Sequence, residues 1–453
     1  MQTRRAEISP RAVPAAIVIG LGLVAGYIVL LLVLMNEGSY DAWAVMLLVP
    51  LMMLVSLPVL RRQAAREGDP RVFKLLTLAL LVKLGGSIAR YYVAFSLYGG
   101  VADATGYHNA GVKLFEQFRH LDFAPLLHAT GTEFLRVFTG LVYAIIGPTR
   151  LGGFLFYAWL GFWGLFLFYR AFVVAVPEGR RRSYAILLFF LPSLVFWPSS
   201  IGKESWMMFA LGIATLGIAI ALSGQLWRGL AMAAVGFWLA GIVRPHIAAL
   251  LGAAFALAMV ARRGSRELHE LAPVMKALSM AVVAVLALFL TVKAERFLQR
   301  SGIPTSKGVS ATLTDIQDRT SKGGSDFVPS VVDSPARAPL AVVTVLFRPF
   351  LPEAHNLQAR LAAVEGTFLI LLCLFRWRWL IAAIRSIRGS PYVLFALVYT
   401  GLFIIAFSSF ANFGLLARER VQLYPLFLVL LCIPPAVREQ ARSGAEAAGA
   451  AIT

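Results

Sequence analysis

Six polar tracts interrupt an otherwise apolar chain, and their residue types suit acid–base work on a hydroxyl and the holding of an anion. Asp103 stands in Gly99-Gly100-Val101-Ala102-Asp103-Ala104-Thr105-Gly106-Tyr107-His108. The glycines allow a tight turn, and the carboxylate gains aromatic and imidazole neighbours. A carboxylate within hydrogen-bond reach of an acceptor hydroxyl can take its proton. Tyr107 and His108 could orient a sugar or acceptor beside it. The plainer alternative is a turn-capping Asp with an interfacial Tyr-His pair.

The other tracts are mostly basic. Ser199-Ser200-Ile201-Gly202-Lys203-Glu204-Ser205 opens a helix, where free backbone N–H groups and the positive dipole end favour an anion. Lys203 adds a point charge there, although a plain helix cap with a snorkelling Lys gives the same pattern. Arg244-Pro245-His246 breaks an apolar hairpin and offers a guanidinium suited to a phosphate or pyrophosphate. Arg348-Pro349-Phe350-Leu351-Pro352-Glu353-Ala354-His355-Asn356 sets a cation, a carboxylate and an imidazole among prolines. It could complete a phosphate pocket, with Glu353 and His355 as an acid/base or substrate-orienting pair, or serve only as a rigid interfacial loop. Arg418-Glu419-Arg420 carries further cations, for which a local ion pair is the competing account.

These tracts need a scaffold, and composition names its class. Of 453 residues, 59% are hydrophobic and 14% charged, with a mean hydropathy of +0.76. Soluble domains run near 45–50% apolar and about 25% charged, so this chain belongs in a bilayer. The net charge of +19 accords with positive-inside topology signals and anionic headgroups rather than with nucleic acid. Apolar windows of spanning length predict an all-α, polytopic transmembrane helical bundle of about 12 spans (11–14), forming one integral membrane domain over 1–453. They lie near 13–35, 42–60, 72–97, 152–176, 184–198, 205–223, 229–243, 247–261, 273–292, 358–376, 390–410 and 421–437. The first lacks a small-x-small cleavage site and is expected to stay as an anchor.

The Arg clusters at 61–71, 180–182, 262–266 and 376–388 predict a cytoplasmic side that also holds both termini. The five tracts above and a sixth, 293–338, then share the outer face. Residues 98–147 are expected as an external loop with amphipathic or re-entrant helices, 133–147 not spanning. Residues 293–357 are expected as a second external loop, with a half-helix at 339–351.

Within the spans, Lys83 and Arg90 are seven residues apart on one helix face, and Glu365 is a candidate partner for one of them. Cys373 and Cys432 read as small hydrophobes. The histidines have no metal-ligand spacing, and neither a metal nor another cofactor is expected.

In layout the chain resembles the C-type, polyprenyl-phosphate-dependent membrane glycosyltransferases and the related O-antigen and exopolysaccharide polymerases. The resemblance rests on Asp103 with Tyr107 in an early external loop, and on Lys203, Arg244, Arg348 and Arg420 at span ends. The late outer loop and the closing run Asn412 to Arg420, followed by a span containing Pro425, add to it. It implies a sugar donor linked to polyprenyl phosphate or pyrophosphate, entering from the outer leaflet, and a glycan or lipid acceptor. Lys203, Arg244, Arg348 and Arg420 would hold the leaving phosphate, while Asp103 or His246 would activate the acceptor hydroxyl. The product would be a cell-surface polysaccharide or glycolipid made at a bacterial inner membrane, with polysaccharide assembly proteins as neighbours. A flippase of lipid-linked oligosaccharide and a scaffold of an assembly complex are the alternatives. Apart from Lys83 and Glu365 the inner half of the spans is bare, which favours a one-sided enzyme.

Overall fold

A computed structural model describes residues 12–261 and 309–435, apart from 37, 39, 101, 322–325 and 333, with scattered positions between 277 and 296. Among the described residues the secondary structure is helical, and the only extended pairing is the bridge Asp326–Asn412. Six helices are long and apolar enough to cross a membrane: Tyr40–Glu67, Pro70–Leu97, Arg150–Ala175, Lys203–Leu222, Leu226–Val243 and Leu357–Phe375. Counting each of two bent helix pairs as one span gives eight.

The described residues thus supply six to eight of the expected 12 or so spans and do not confirm the rest, for particular reasons. The window at 184–198 is broken into Arg181–Phe190 and Pro192–Ser199, bent by 59°. Pro192 cannot donate a helical hydrogen bond, and Leu191 before it takes an extended conformation. The window at 390–410 is Pro391–Phe407, turned by 115° from Trp377–Ser386. Pro245–Ala261 has only 17 residues. Residues 421–437 begin as a 3-10 turn and the short helix Tyr424–Leu430. Residues 13–35 fall in the helix Ala12–Asn36, while 273–292 and most of the loop expected from 293 lie outside the described residues.

Arg150–Ala175 and Lys203–Leu222 form the centre, lined by residues such as Phe154, Phe162, Met208 and Ala214 that are shut off from solvent. Small residues set how closely these helices approach. A Cβ at Gly164 would collide with the Met208 carbonyl, and one at Gly236 with the backbone of Ala214. Backbone contact of this kind is how apolar spans associate where lipid is as apolar as the side chains.

Residues 98–147 contain the helices Asp103–Arg119, Ala124–His128 and Gly131–Ile146. The first and last pack together, with Gly111 facing Thr139 and Gly140 facing Leu114. Each keeps one buried stripe and one exposed side, as an amphipathic element does. The half-helix expected at 339–351 is Ala338–Phe347.

The break in the bent span exposes backbone groups that lipid cannot satisfy. Glu365 accepts hydrogen bonds from Ser193 N, at 2.6 Å, and from Ser193 Oγ. Lys83 Nζ donates to Leu194 O at 2.6 Å and to Val195 O at 3.4 Å. A carboxylate thus caps the start of the short helix Pro192–Phe196 and an ammonium caps its end, both matched to its dipole. The sequence had offered Glu365 as a partner for Lys83 or Arg90, and among the described residues it pairs with neither. Glu365 and Lys83 each bind the backbone instead.

Candidate functional site

Five charged side chains from elements far apart in sequence form an ion ladder. Asp103 begins the helix Asp103–Arg119, and Glu204 lies in the first turn of Lys203–Leu222. Arg244 closes Leu226–Val243, while Arg418 and Glu419 end Phe413–Glu419. The acids sit at helix starts and the Arg residues at helix ends, except for Glu419, so helix dipoles favour most of the placements.

The ladder alternates in sign. Arg418 Nη1 donates to Asp103 Oδ2 at 2.6 Å, and its Nε donates to Glu204 Oε1 at 2.6 Å. Arg244 Nη2 reaches the same Glu204 Oε1 at 2.9 Å and Glu419 Oε1 at 2.6 Å. Gln422 Nε2 then donates to Glu419 Oε2 at 2.8 Å. The Glu204 and Arg244 side chains are only 5% and 8% exposed, whereas Asp103 is 61% exposed. The charge is dry at the centre and wet at the Asp103 end. The Glu204 carboxylate makes the Arg418 guanidinium hold its proton more firmly than usual, against the opposing effect of burial.

The sequence-predicted residues divide around this ladder. Asp103 and Arg244 belong to it. Lys203 and His246 border it, both within electrostatic range of Arg244. Tyr107 is buried beside it; burial, then the charges of Glu204 and Asp103, push its hydroxyl up to about 12. His108 faces the other way. Its Nδ1 shares a hydrogen bond of 2.7 Å with Tyr143 Oη. Burial and then the Arg150 charge lower it to about 4, so it is a neutral core histidine rather than a companion of Asp103.

The four cations expected to hold a phosphate are partnered unequally within the protein. Arg244 is engaged by two carboxylates, so its charge is already balanced. Arg348 is clasped by Glu353, Nη2 to Oε1 at 2.5 Å and Nε to both oxygens at 3.0 and 3.1 Å. It also donates to Val328 O at 3.2 Å and lies 4.5 Å from the Phe327 ring centroid. Arg420 is fully buried; its Nη1 donates to Arg348 O at 2.5 Å, while Nε and Nη2 have no hydrogen-bond partner among the described residues. His355 is exposed on the loop beyond Glu353 and is not brought to the ladder. Only Lys203 among the four expected cations makes neither an ion pair nor a side-chain hydrogen bond among the described residues.

Glu204, Arg418 and Glu419 are the members that sequence reasoning did not assign. They lie inside the tracts already singled out, and in Arg418-Glu419-Arg420 a local ion pair was the competing account. The available signal was the alternation of sign between separate tracts.

Beside the ladder lies an apolar cavity of about 620 Å3, between the C-terminal end of Pro70–Leu97, the bend at Leu191 and Pro192, the first turns of Leu357–Phe375, and Phe413 to Ala417. Ala417 lines it, and the next residue, Arg418, holds Asp103. Several wall residues, including Leu97, Leu361 and Phe368, are about half exposed or more, so the cavity opens sideways where the bilayer would lie. Comparison with family models, with curated proteins and with solved structures gives no match to this chain.

Proposed function

We propose that this chain is a membrane glycosyltransferase or polysaccharide polymerase that takes its sugar from a polyprenyl-phosphate or pyrophosphate carrier on the outer face of the membrane. One observation carries the reading. An apolar, laterally open cavity ends against a buried ion ladder whose exposed member is a carboxylate. An amphiphilic substrate matches that join, with its chain in the cavity and its polar head at the ladder.

Asp103 is the general base of this proposal. Only its Oδ2 is engaged by Arg418, and Oδ1 accepts no hydrogen bond from the described residues. It would remove the proton of the acceptor hydroxyl. That oxygen forms the new bond to the anomeric carbon, the carbon–oxygen bond to the carrier breaks, and the carrier phosphate leaves with the electron pair. Arg418 fixes the carboxylate, and Glu204 in turn fixes Arg418. Lys203 supplies positive charge towards the leaving group. Preorganised charge in a dry site is the larger part of such catalysis.

The second reading, a flippase of the same lipid-linked substrate, draws on the broken span capped by Lys83 and Glu365, since discontinuous helices line many transport sites. Glycan profiling separates the two. A deletion strain is complemented with wild type or with Asp103→Asn, with membrane expression checked. Glycan restored by wild type alone, with lipid-linked precursor accumulating in the outer leaflet, supports the transferase. Precursor held in the inner leaflet favours the flippase, and full rescue by Asp103→Asn removes Asp103 from the chemistry.

A further inference from the structure

Arg90 is the cation that the ladder leaves out. The span carrying it changes from α-helix (Pro70–Tyr92) to a π-helical turn at Val93–Leu97, just beyond Arg90. Such turns are rare and recur at functional sites. Lys83 and Arg90 meet the same partner segment. Lys83 binds the carbonyls of Leu194 and Val195, and Arg90 lies against the residues that follow. Its guanidinium carbon is 4.8 Å from the ring centroid of Phe196 and 4.8 Å from that of Trp197. Both aromatic residues line the cavity.

This guanidinium has no carboxylate at ion-pair distance among the described residues. The nearby acids Glu204 and Asp103 are taken by Arg418 and Arg244. Its charge still interacts with Glu204, Arg418, Tyr98 and Asp103, which puts it beside the ladder. Nε is buried without a hydrogen-bond partner. A buried donor left without a hydrogen bond is unfavourable, and two aromatic faces offset only part of that while fixing the plane of the group. A planar fork held in this way, with donors unmet, matches a phosphate in a bidentate manner. The surroundings fix the rest of the ligand, because everything on the cavity side of the rings is apolar except Ser193, Glu365, Asn356, Gln358 and the Tyr98 hydroxyl.

We propose that Arg90, bracketed by Phe196 and Trp197, binds the phosphate of a polyprenyl-phosphate lipid whose chain lies in the cavity lined by Leu97, Phe190, Leu361 and Phe368. The inference rests on the lipid-linked donor reading above and adds the residue that holds the carrier. It also adds a cation beside the cavity, since Arg244 and Arg348 are held by carboxylates. The carrier phosphate at Arg90 stands next to the ladder, as a leaving group must, whereas a bulk phospholipid would place no reacting bond there.

The test uses the full chain in nanodiscs of phosphatidylcholine, with binding followed by native mass spectrometry. The probes are a long-chain polyprenyl monophosphate, the corresponding uncharged polyprenol, and phosphatidylglycerol as competitor. Wild type is expected to bind the monophosphate, and Arg90→Ala to bind it about 10- to 100-fold more weakly, the worth of a charge-assisted hydrogen-bond pair. The polyprenol should bind both proteins equally, and phosphatidylglycerol should not displace the monophosphate at equal concentration. Equal binding of the monophosphate by wild type and Arg90→Ala overturns the inference while leaving the donor reading intact. Displacement by phosphatidylglycerol also overturns it, making the site a general anionic-lipid site. Wild type that binds none of the prenyl probes fails the donor reading itself. Thermal melting checks the fold of each variant. Should Arg90→Ala not fold, Arg90→Lys keeps the charge but loses the fork, and unchanged affinity in that variant overturns the proposal as well.

Discussion

The bent span Arg181–Phe190 plus Pro192–Ser199 has a cationic neighbourhood at each end, built on different principles. At the Arg181 end, the guanidinium carbons of Arg180 and Arg376 lie 5.8 and 4.9 Å from the Trp379 ring centroid, and that of Arg378 lies 5.5 Å from Trp377. Arg376 donates to Leu431 O at 2.9 Å, and the one ion pair there among the described residues, Arg181 to Glu67, is stretched to 4.0 Å. At the other end the ladder gives each buried charge a counter-charge at 2.6 to 2.9 Å. Water access explains the contrast. Cations at a lipid–water boundary stay solvated and need only an aromatic surface, while charges inside must be paired or pay the full desolvation cost. The first arrangement suits a helix end at a membrane boundary. The second fixes a buried polar cluster, which is the arrangement the proposed chemistry would need.

If that contrast is right, the two ends should respond unequally to loss of one charge. Glu204→Gln removes the carboxylate shared by Arg244 and Arg418, and breaking a buried pair in this way costs about 3–5 kcal/mol. A large drop in thermal melting is expected in detergent or nanodiscs. Arg378→Ala, at the other end, should shift stability by no more than about 1 kcal/mol. Equal losses in the two variants would erase the distinction.

Asp103→Asn sharpens the same point at the ladder's wet end. Because Asp103 is mostly exposed, stability should change by about 1 kcal/mol or less, yet transfer should fall by at least about 100-fold, as for loss of a general base. An Asp103→Asn protein that melts like wild type and turns over normally would leave the ladder a structural device only.

The smallest effect is expected at the Arg348–Glu353 clasp, which is an ion pair of intermediate exposure. Burial raises the Glu353 carboxyl, but the Arg348 hydrogen bonds, the Phe350 N–H and the Arg348 charge outweigh it and leave it below its ordinary value. A depressed folded value means that its contribution to stability is present above the ordinary carboxylate range and is lost as pH falls through the folded value. Melting followed from neutral pH into the acid range should therefore show a loss of about 1 kcal/mol or less, and Glu353→Gln should remove it. A profile that is the same with and without Glu353 would mean that the clasp carries no net stability.

Much of this arrangement was legible in the sequence, for identifiable reasons. Runs such as Tyr40–Glu67 and Arg150–Ala175 are visible because a bilayer demands continuous apolar length. Asp103, Lys203 and Arg244 stood out because a charge amid apolar residues is costly and so marks a special place. Breaks within a run were harder to foresee. Nothing local to 184–198 except Pro192 announces that Glu365 and Lys83 will satisfy the freed backbone. His108 and Tyr107 are neighbours in sequence, but helical rotation sends one to Tyr143 and the other towards the ladder.

By itself, the sequence determined the class of the molecule, all-helical and membrane-embedded, and the tracts where charge could gather. Those properties follow from composition and periodicity, which act over one helix at a time. Only the tertiary structure decided which charges are spent on one another and which remain for a ligand. Arg418 meets Asp103 across 315 positions of chain and Glu204 across 214. Pairing depends on distance in space and on the water excluded around the pair, and neither quantity is written in any local stretch of residues.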